Sequence, residues 1–368
     1  MWFFPTSVLA KTLTWIVAAI VLAAVGTGAG FAAGYEYRGS PASAAASSTL
    51  YVLAAGSLST TFPRLATLLV NETPGVSAPA STQTYEGSLD VVNAVSALGT
   101  KADVAAVADY RLIPQSLEPR YAGYEVVFGK TPEVLVYNAS LSEFQGINAS
   151  NWGWMLVNAT SSAGVAPFAV WNASTDPNGY NEIFSLELQG SIYNGSNLSV
   201  YSHFYSGAPW TLAKPNPSTT RSEKESLAAE LIAKGTVSAL ITYRSYAVAN
   251  HLSFVTLNQT VGLNATDPGS RAQYGNLSTE IETSLTSTAR VRAAPVLFAV
   301  TVPTDAPNPA LGAAFIHLLL SPQGDALIGA KGGFTPFLPG WIQPATTVPP
   351  VLAPDVTTMP LWASALLA

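Results

Sequence analysis

Two glycine-serine turns are the first places in this sequence where side chain and backbone together could bind a ligand. Gly56-Ser57 follows the apolar run LYVLAA, and Gly87-Ser88 follows the run VSAPASTQTYE. A helical pattern begins after each turn, so each serine could offer a hydroxyl and a backbone N–H at a helix N-terminus, where anions bind. The alternative is that Ser57 and Ser88 only cap their helices.

An acidic turn, TDPNGY, spans residues 175–180 and precedes another helical pattern. Asp176 could cap that helix or line a ligand pocket. Ser222 and Glu225 form the S-x-x-E pattern of a capping box, which explains Glu225 without any ligand. Tyr243 ends the run SALITY, where an aromatic side chain is also ordinary sheet surface.

The elements that must position these residues follow from the hydrophobic pattern. Each glycine-serine turn joins an apolar strand to a helix, and DVAAVAD (103–109) is a third strand. This predicts a βαβαβ unit with a parallel sheet, in which both turns open at the same edge. Farther along, residues 296–303 predict a strand, and residues 308–322 and 324–333 predict two helices. The fold class is therefore α/β.

Composition excludes several functions. The 368 residues are 48% hydrophobic, with 16 Lys and Arg against 22 Asp and Glu, so no basic surface is available for nucleic acid. Cysteine is absent, which excludes disulfides and thiolate chemistry. There is no G-x-S-x-G elbow, P-loop or H-E-x-x-H motif. The sequence therefore predicts neither an enzyme nor a bound cofactor.

The N-terminal segment predicts export. Leu13 to Ala33 carries no charge, so residues 1–34 form either a retained transmembrane anchor or a cleaved signal. Lys11, just before the uncharged run, favours a topology in which the rest of the chain lies outside the cytoplasm. Residues 35–48 are small and polar, as in a flexible linker.

Ten asparagines begin N-x-S/T sequons, which predicts a glycosylated surface of the archaeal type unless the matches are accidental. They are Asn71, Asn138, Asn148, Asn158, Asn172, Asn194, Asn197, Asn258, Asn264 and Asn276.

Seven segments in order resemble the archaeal tungstate/molybdate-binding proteins of ABC importers. They are AAGSLSTTF, TYEGS, KADVAAVADYRLIP, STDPNGY, EKESLAAELIAKG, ALITYRSYAVANH and FAVTVPTDAPNPALGAAFIHLLLSPQGDALIGAKGG. The resemblance runs from residue 49 to about 340 and is most specific in the ADY, DPxGY, YRS and LLSPxG pieces.

The resemblance implies a two-lobed periplasmic-binding-protein-like fold of type II, each lobe a mixed sheet flanked by helices, preceded by the N-terminal transmembrane helix. We expect lobe 1 to comprise residues 49–130 and 298–345, lobe 2 residues 131–297, and a proline-rich tail residues 346–368. The ligand would lie in the cleft between lobes that close by hinge motion.

The resemblance also implies the roles of six residues. Ser57 and Ser88 would donate to a bound oxyanion, as would the backbone N–H of Asn178, where these proteins often carry cysteine. Asp176 and Glu225 would place carboxylate oxygens on the tungsten or molybdenum, and Tyr243 would donate its hydroxyl.

We expect a monomeric, membrane-anchored or secreted protein that passes tungstate or molybdate to a permease driven by a separate ATPase. The alternatives are a binder of sulfate, thiosulfate or phosphate, and a surface sensor or adhesion module that has lost the ligand.

Overall fold

The computed structural model describes residues 48–193, 199–217, 219–222, 227–284, 287–329, 332–344 and 347–367. The expected anchor, the linker up to residue 47 and Glu225 lie outside these ranges. Within the described ranges, no single helix is long and apolar enough to cross a membrane. Pro309–Leu319 and Pro322–Ile328 reach that length only together, across a bend of 71°.

The secondary structure of the described chain follows the predicted alternation of strands and helices. The strands are β1 Ser48–Thr49, β2 Val52–Ala55, β3 Val76–Ser77, β4 Gln83–Glu86, β5 Val104–Val107, β6 Glu125–Lys130, β7 Glu133–Tyr137, β8 Phe168–Trp171, β9 Tyr205–Ser206, β10 Lys214–Pro215, β11 Thr219–Ser222, β12 Ala239–Tyr243, β13 Phe254–Thr256, β14 Ser278–Ser284, β15 Ser287–Arg292, β16 Leu297–Thr301, β17 Thr335–Gln343 and β18 Val356–Thr358. The helices are α1 Phe62–Glu72, α2 Ser88–Ser96, α3 Leu112–Ser116, α4 Trp152–Ser161, α5 Pro177–Tyr193, α6 Ser199–Phe204, α7 Ala228–Ala233, α8 Arg244–Ala249, α9 Pro268–Gly275, α10 Pro309–Leu319, α11 Pro322–Ile328 and α12 Leu361–Ser364.

The larger sheet has seven strands in the order β18-β17-β6-β16-β5-β2-β4. Strands β4, β2 and β5 are parallel, which confirms the predicted βαβαβ unit, whereas β16 joins antiparallel between β5 and β6. All four residues of β2 and of β5 are buried, as expected for parallel strands that are covered on both faces. We call this sheet and its helices the first lobe.

The second sheet has five strands in the order β11-β8-β12-β7-β13, with β12 parallel to β8 and antiparallel to β7. We call this sheet, with helices α4 to α8, the second lobe. The chain enters it between β6 and β7 and returns to the seven-stranded sheet at β16. The crossing from β6 to β7 is short, whereas the return from β13 to β16 contains α9 and the β14–β15 hairpin.

The proline-rich tail is ordered against the first lobe. Its strand β18 pairs parallel with β17, which adds a seventh strand to the sheet. Met359 and Ala363 are buried, and the Tyr110 hydroxyl donates to the Ala363 carbonyl at 2.8 Å. The tail therefore completes one edge of the sheet.

Candidate functional site

The first-lobe serines lie at the carboxyl ends of neighbouring parallel strands. Ser57 is in a single 3-10 turn, Gly56–Leu58, and Ser88 is the first residue of α2. Both are fully buried, and neither side chain caps its helix. The Ser88 Oγ accepts a hydrogen bond from the Ala108 N–H at 2.9 Å, whereas the Ser57 Oγ has no hydrogen-bond partner among the described residues. The capping alternative for these serines is therefore wrong.

The second glycine-serine turn touches the acidic turn of the other lobe. The Leu89 N–H donates to the Thr175 carbonyl at 3.1 Å. A Cβ atom on Gly87 would lie 2.1 Å from the same carbonyl oxygen, so only glycine permits this approach. The N-terminus of α2 and the start of α5 consequently meet at one point, where both helix dipoles favour negative charge.

Asp176 is buried in this contact, with only 4% of its surface exposed. Its Oδ1 accepts a hydrogen bond from the Asn178 N–H at 3.0 Å, so the carboxylate does cap the start of α5. Burial raises the pKa of Asp176 to about 6, the charge of Asp90 adds to the rise, and the Asn178 hydrogen bond opposes it. A carboxylate in this setting gains from any partner that stabilises its charge.

Asn178 and Tyr243 lie on the second-lobe side of the same region. Asn178 is fully buried, and its Nδ2 donates to the Ile241 carbonyl at 3.3 Å while its Oδ1 lacks a partner within the described structure. The Tyr243 hydroxyl accepts from Asn181 Nδ2 at 3.3 Å. The Tyr243 ring packs edge-on against Phe298 of the first lobe, with ring centroids 5.2 Å apart.

Ser245 is a candidate site residue that sequence reasoning missed. It is fully buried, its N–H donates to Thr131 Oγ1 at 3.1 Å, and its Oγ has no partner in the part of the chain that the structure describes. Its helix, α8, packs against the 3-10 turn that carries Ser57. The YRS piece of the sequence contained Ser245, but only the packing of α8 on that turn marks the hydroxyl as a second available donor.

Buried polar groups occur on the elements of both lobes that meet here. Ser57 and Ser245 contribute hydroxyls that have no partner among the described residues, and the N-termini of α2 and α5 contribute backbone dipoles. Orphaned buried polar groups cost about 1–3 kcal/mol each, a cost that a hydrogen-bonding ligand would remove. No group of three or more His, Cys, Asp or Glu side chains in the described residues could hold a metal ion.

Comparison with known proteins identifies the family. The family model of bacterial extracellular solute-binding proteins matches residues 50–335, so the chain belongs to that family, whose members are non-enzymatic components of transport. The molybdate/tungstate-binding protein WtpA of Thermococcus kodakarensis is 29% identical over 251 residues, 65% of this chain and 68% of that protein. An uncharacterized solute-binding protein of Methanoculleus marisnigri is 29% identical over 306 residues, 79% of this chain and 82% of that protein. These matches confirm the resemblance to the archaeal binding proteins.

Solved structures share the fold at low identity. The periplasmic molybdate-binding protein of Azotobacter vinelandii matches with a TM-score of 0.52 and 14% identity over 77% of this chain and 98% of its own. The substrate-binding protein of an ABC transporter from Agrobacterium tumefaciens matches with a TM-score of 0.53 and 14% identity over 87% and 92%. The architecture is that of periplasmic binding proteins, with a mixed sheet and flanking helices in each lobe.

Proposed function

We propose that this protein captures tungstate or molybdate between its two lobes and presents it to an ABC permease driven by a separate ATPase. The family supplies the transport role, and two related proteins are named for binding molybdate and tungstate. The observation that carries the choice of ligand is the buried Asp176 at the point where the N-terminus of α2 meets the start of α5.

Six residues predicted from the sequence form the proposed site, and Ser245 is added to them as a further hydroxyl donor. Ser57 and Ser88 donate from the first lobe, and the Asn178 N–H and the Tyr243 hydroxyl donate from the second. Asp176 and Glu225 supply carboxylate oxygens to the metal centre of the oxyanion. In this arrangement the Asn178 N–H, which donates to Asp176 Oδ1 at 3.0 Å, is shared between the carboxylate and the ligand.

The carboxylates would distinguish this ligand from sulfate or phosphate. Tungsten and molybdenum can expand from four oxygen neighbours to six, so a carboxylate oxygen can bond to the metal itself. Sulfur and phosphorus in their oxyanions do not expand in this way, and an ionised Asp176 would repel them. With a pKa of about 6, Asp176 is largely ionised at neutral pH and is available for coordination.

Calorimetric titration of the purified protein with tungstate, molybdate, sulfate and phosphate tests the proposal. We expect tight binding of the first two ions and a loss of about 100-fold or more in tungstate affinity for Asp176→Ala, since a charge-assisted ligand contact and a helix cap disappear together. Asp267→Ala is the matched control, because Asp267 caps α9 through Ser270 N at 3.0 Å far along the chain from the site. Equal tungstate affinities in Asp176→Ala and Asp267→Ala would mean that Asp176 only caps α5 and does not bind the ligand.

The second candidate is a binder of sulfate, thiosulfate or phosphate. The observation that favours it is the hydrogen bond from the Asn178 N–H to Asp176, because it allows the carboxylate to cap α5 without contacting a ligand. Removing the negative charge in Asp176→Asn should then strengthen sulfate binding, whereas tungstate binding should weaken under the first proposal. If the protein binds none of these ions, the remaining alternative is a surface sensor or adhesion module.

The proposed location is the outer face of the cell membrane, with residues 1–34 as anchor and a monomeric, glycosylated body. Eight sequon asparagines fall in the described ranges, and none of them is buried: Asn71, Asn138, Asn148, Asn158, Asn172, Asn258, Asn264 and Asn276. Mass spectrometry of protein from the native membrane measures both the glycans and the N-terminal residue. An unmodified protein that begins at Met1 and fractionates with the cytoplasm would overturn this location.

A further inference from the structure

A buried hydrogen bond joins the lobes beside the proposed ligand site. The Tyr180 hydroxyl, in the first turn of α5, donates to Asp109 Oδ2 at 2.7 Å. Asp109 follows β5 of the first lobe and is 7% exposed, while Tyr180 belongs to the second lobe and is 1% exposed. The two residues are 71 positions apart in the chain, so only the approach of the lobes brings them together.

Arg111 holds the Asp109 carboxylate in place. Its Nε donates to Oδ1 at 2.9 Å, its Nη2 donates to Oδ2 at 2.6 Å, and its backbone N–H donates to Oδ1 at 3.0 Å. Although burial acts to raise the pKa of Asp109, the Arg111 charge and the hydrogen bonds from Arg111 and Tyr180 keep that pKa below its ordinary value. The acceptor offered to Tyr180 is therefore an ionised carboxylate of fixed orientation.

Arg111 also reaches the other side of the contact. Its Nη1 donates at 2.9 Å to the carbonyl of Arg292, which ends the β14–β15 hairpin, and β14 packs against α5. One buried ion pair of the first lobe thus contacts α5 through Tyr180 and the hairpin behind α5 through Arg292. A hinge opening that separates β5 from α5 must break the Tyr180 bond and expose its carboxylate acceptor to water.

We propose that the hydrogen bond between Tyr180 and Asp109 is an affinity-determining link of the oxyanion site, formed when the lobes close and broken before the ligand leaves. Tyr180 acts as a positioning residue, because it stands two residues after Asn178 on the same helix turn and holds that turn against the first lobe. The identity of the ligand rests on the proposed function, but the role of the link in closure does not.

The test replaces one hydroxyl in each of two matched bonds. Tyr180→Phe removes the bond between the lobes. Tyr205→Phe removes a Tyr hydroxyl that donates to Glu182 Oε1 at the same 2.7 Å, between two buried residues of the second lobe. We expect Tyr180→Phe to weaken tungstate binding by about 10-fold or more, mainly through faster dissociation in stopped-flow displacement, and Tyr205→Phe to leave it within about twofold. Equal effects of the two variants would overturn the proposal.

A distance measurement without ligand tests closure itself. The chain has no cysteine, so Leu98→Cys in the first lobe and Trp154→Cys in the second provide two unique spin-label sites. Both positions are well exposed, at 79% and 59%. We expect Tyr180→Phe to shift the distance distribution toward longer values and Tyr205→Phe to leave it unchanged. An unchanged distribution in Tyr180→Phe overturns the link even if the wild-type protein binds no oxyanion, whereas a shift without oxyanion binding rejects only the proposed ligand.

Discussion

The two lobes meet at two places that differ in how fully their polar groups are satisfied. At the first, Asp109 is buried with Arg111 and Tyr180, and every oxygen of its carboxylate accepts at least one hydrogen bond. At the second, Asp176 is equally buried but accepts, within the described ranges, a single hydrogen bond, from the Asn178 N–H. Among the described residues, the Ser57 and Ser245 hydroxyls, which we propose as donors of the ligand site, have no hydrogen-bond partner.

The pKa values of the two carboxyls follow this difference. Partners hold the pKa of Asp109 below its ordinary value, whereas burial, with a smaller contribution from the charge of Asp90, raises that of Asp176 to about 6. A saturated contact can hold two lobes together by itself, but an unsaturated one gains free energy when a further group enters it. The first place is a saturated contact between the lobes and the second is the proposed ligand site, although both are buried acids between the same two lobes.

The largest effect should come from breaking the saturated contact. Asp109→Asn leaves the Arg111 guanidinium buried without its ionic partner, so the free energy of unfolding should fall by about 3–5 kcal/mol. Asp176→Asn removes a buried charge for which the described part of the chain offers no balancing cation, so the free energy of unfolding should change by no more than about 1 kcal/mol at pH 7. Urea unfolding at pH 7 measures both. If both variants lose a similar amount of unfolding free energy, the two contacts do not differ in how their buried charges are satisfied.

Closing the lobes at the unsaturated contact depends on Gly87. Its φ of −59° suits alanine, but the new Cβ would lie 2.1 Å from the Thr175 carbonyl oxygen, so Gly87→Ala should hold the lobes apart. We expect tungstate affinity to fall by about 100-fold, on the order of 3 kcal/mol, while the melting temperature changes little. Gly123→Ala is the control, since a Cβ there meets nothing within 4 Å. Calorimetric titration of both variants decides whether this approach is required.

The pH dependence of stability should differ in sign between the two acids. The raised pKa of Asp176 contributes stability that is complete below pH 3.8 and is lost as the pH rises through about 6. The lowered pKa of Asp109 contributes stability that is present above its ordinary value of 3.8 and is lost as the pH falls through the lowered value.

The difference in unfolding free energy between wild type and Asp176→Asn isolates the first effect. It should fall by about 2 kcal/mol between pH 4 and pH 7. Glu118 and Glu187, whose pKa values burial raises to about 7, titrate alike in both proteins and cancel. A difference that stays flat over this range would mean that Asp176 is as well stabilised as Asp109.

The smallest effect concerns the orphaned hydroxyls. Ser245→Ala removes a buried hydroxyl without a partner, so stability should hold or rise while tungstate affinity falls about fivefold, or about 1 kcal/mol. Ser185→Ala should do the reverse, because the Ser185 hydroxyl is satisfied by the Val261 carbonyl at 2.8 Å within the second lobe. Thermal unfolding and titration of both variants check the pair. A loss of stability without a loss of affinity in Ser245→Ala would remove Ser245 from the site.

The sequence predicted local elements more fully than it predicted contacts. The sequence correctly predicted the strand-turn-helix units around Ser57 and Ser88, because hydrophobic periodicity and glycine turns act over a few residues. The pairing of β18 with β17 was not, because the tail is rich in proline and its order depends on an open sheet edge elsewhere in the chain. For the same reason, the YRS motif contained Ser245 but did not indicate which residues pack against its hydroxyl.

The sequence by itself determined the alternation of strands and helices, the family, and the positions of the candidate donors, since each of these depends on residue types at short spacing. Only the tertiary structure decided which polar groups are satisfied. Asp109 and Asp176 are both acids next to turns in the sequence, and nothing local tells them apart. The approach of Arg111 and Tyr180 to one carboxylate, and of Gly87 to the turn that bears the other, depends on how the two sheets pack, and that packing makes one acid a link and the other a candidate ligand.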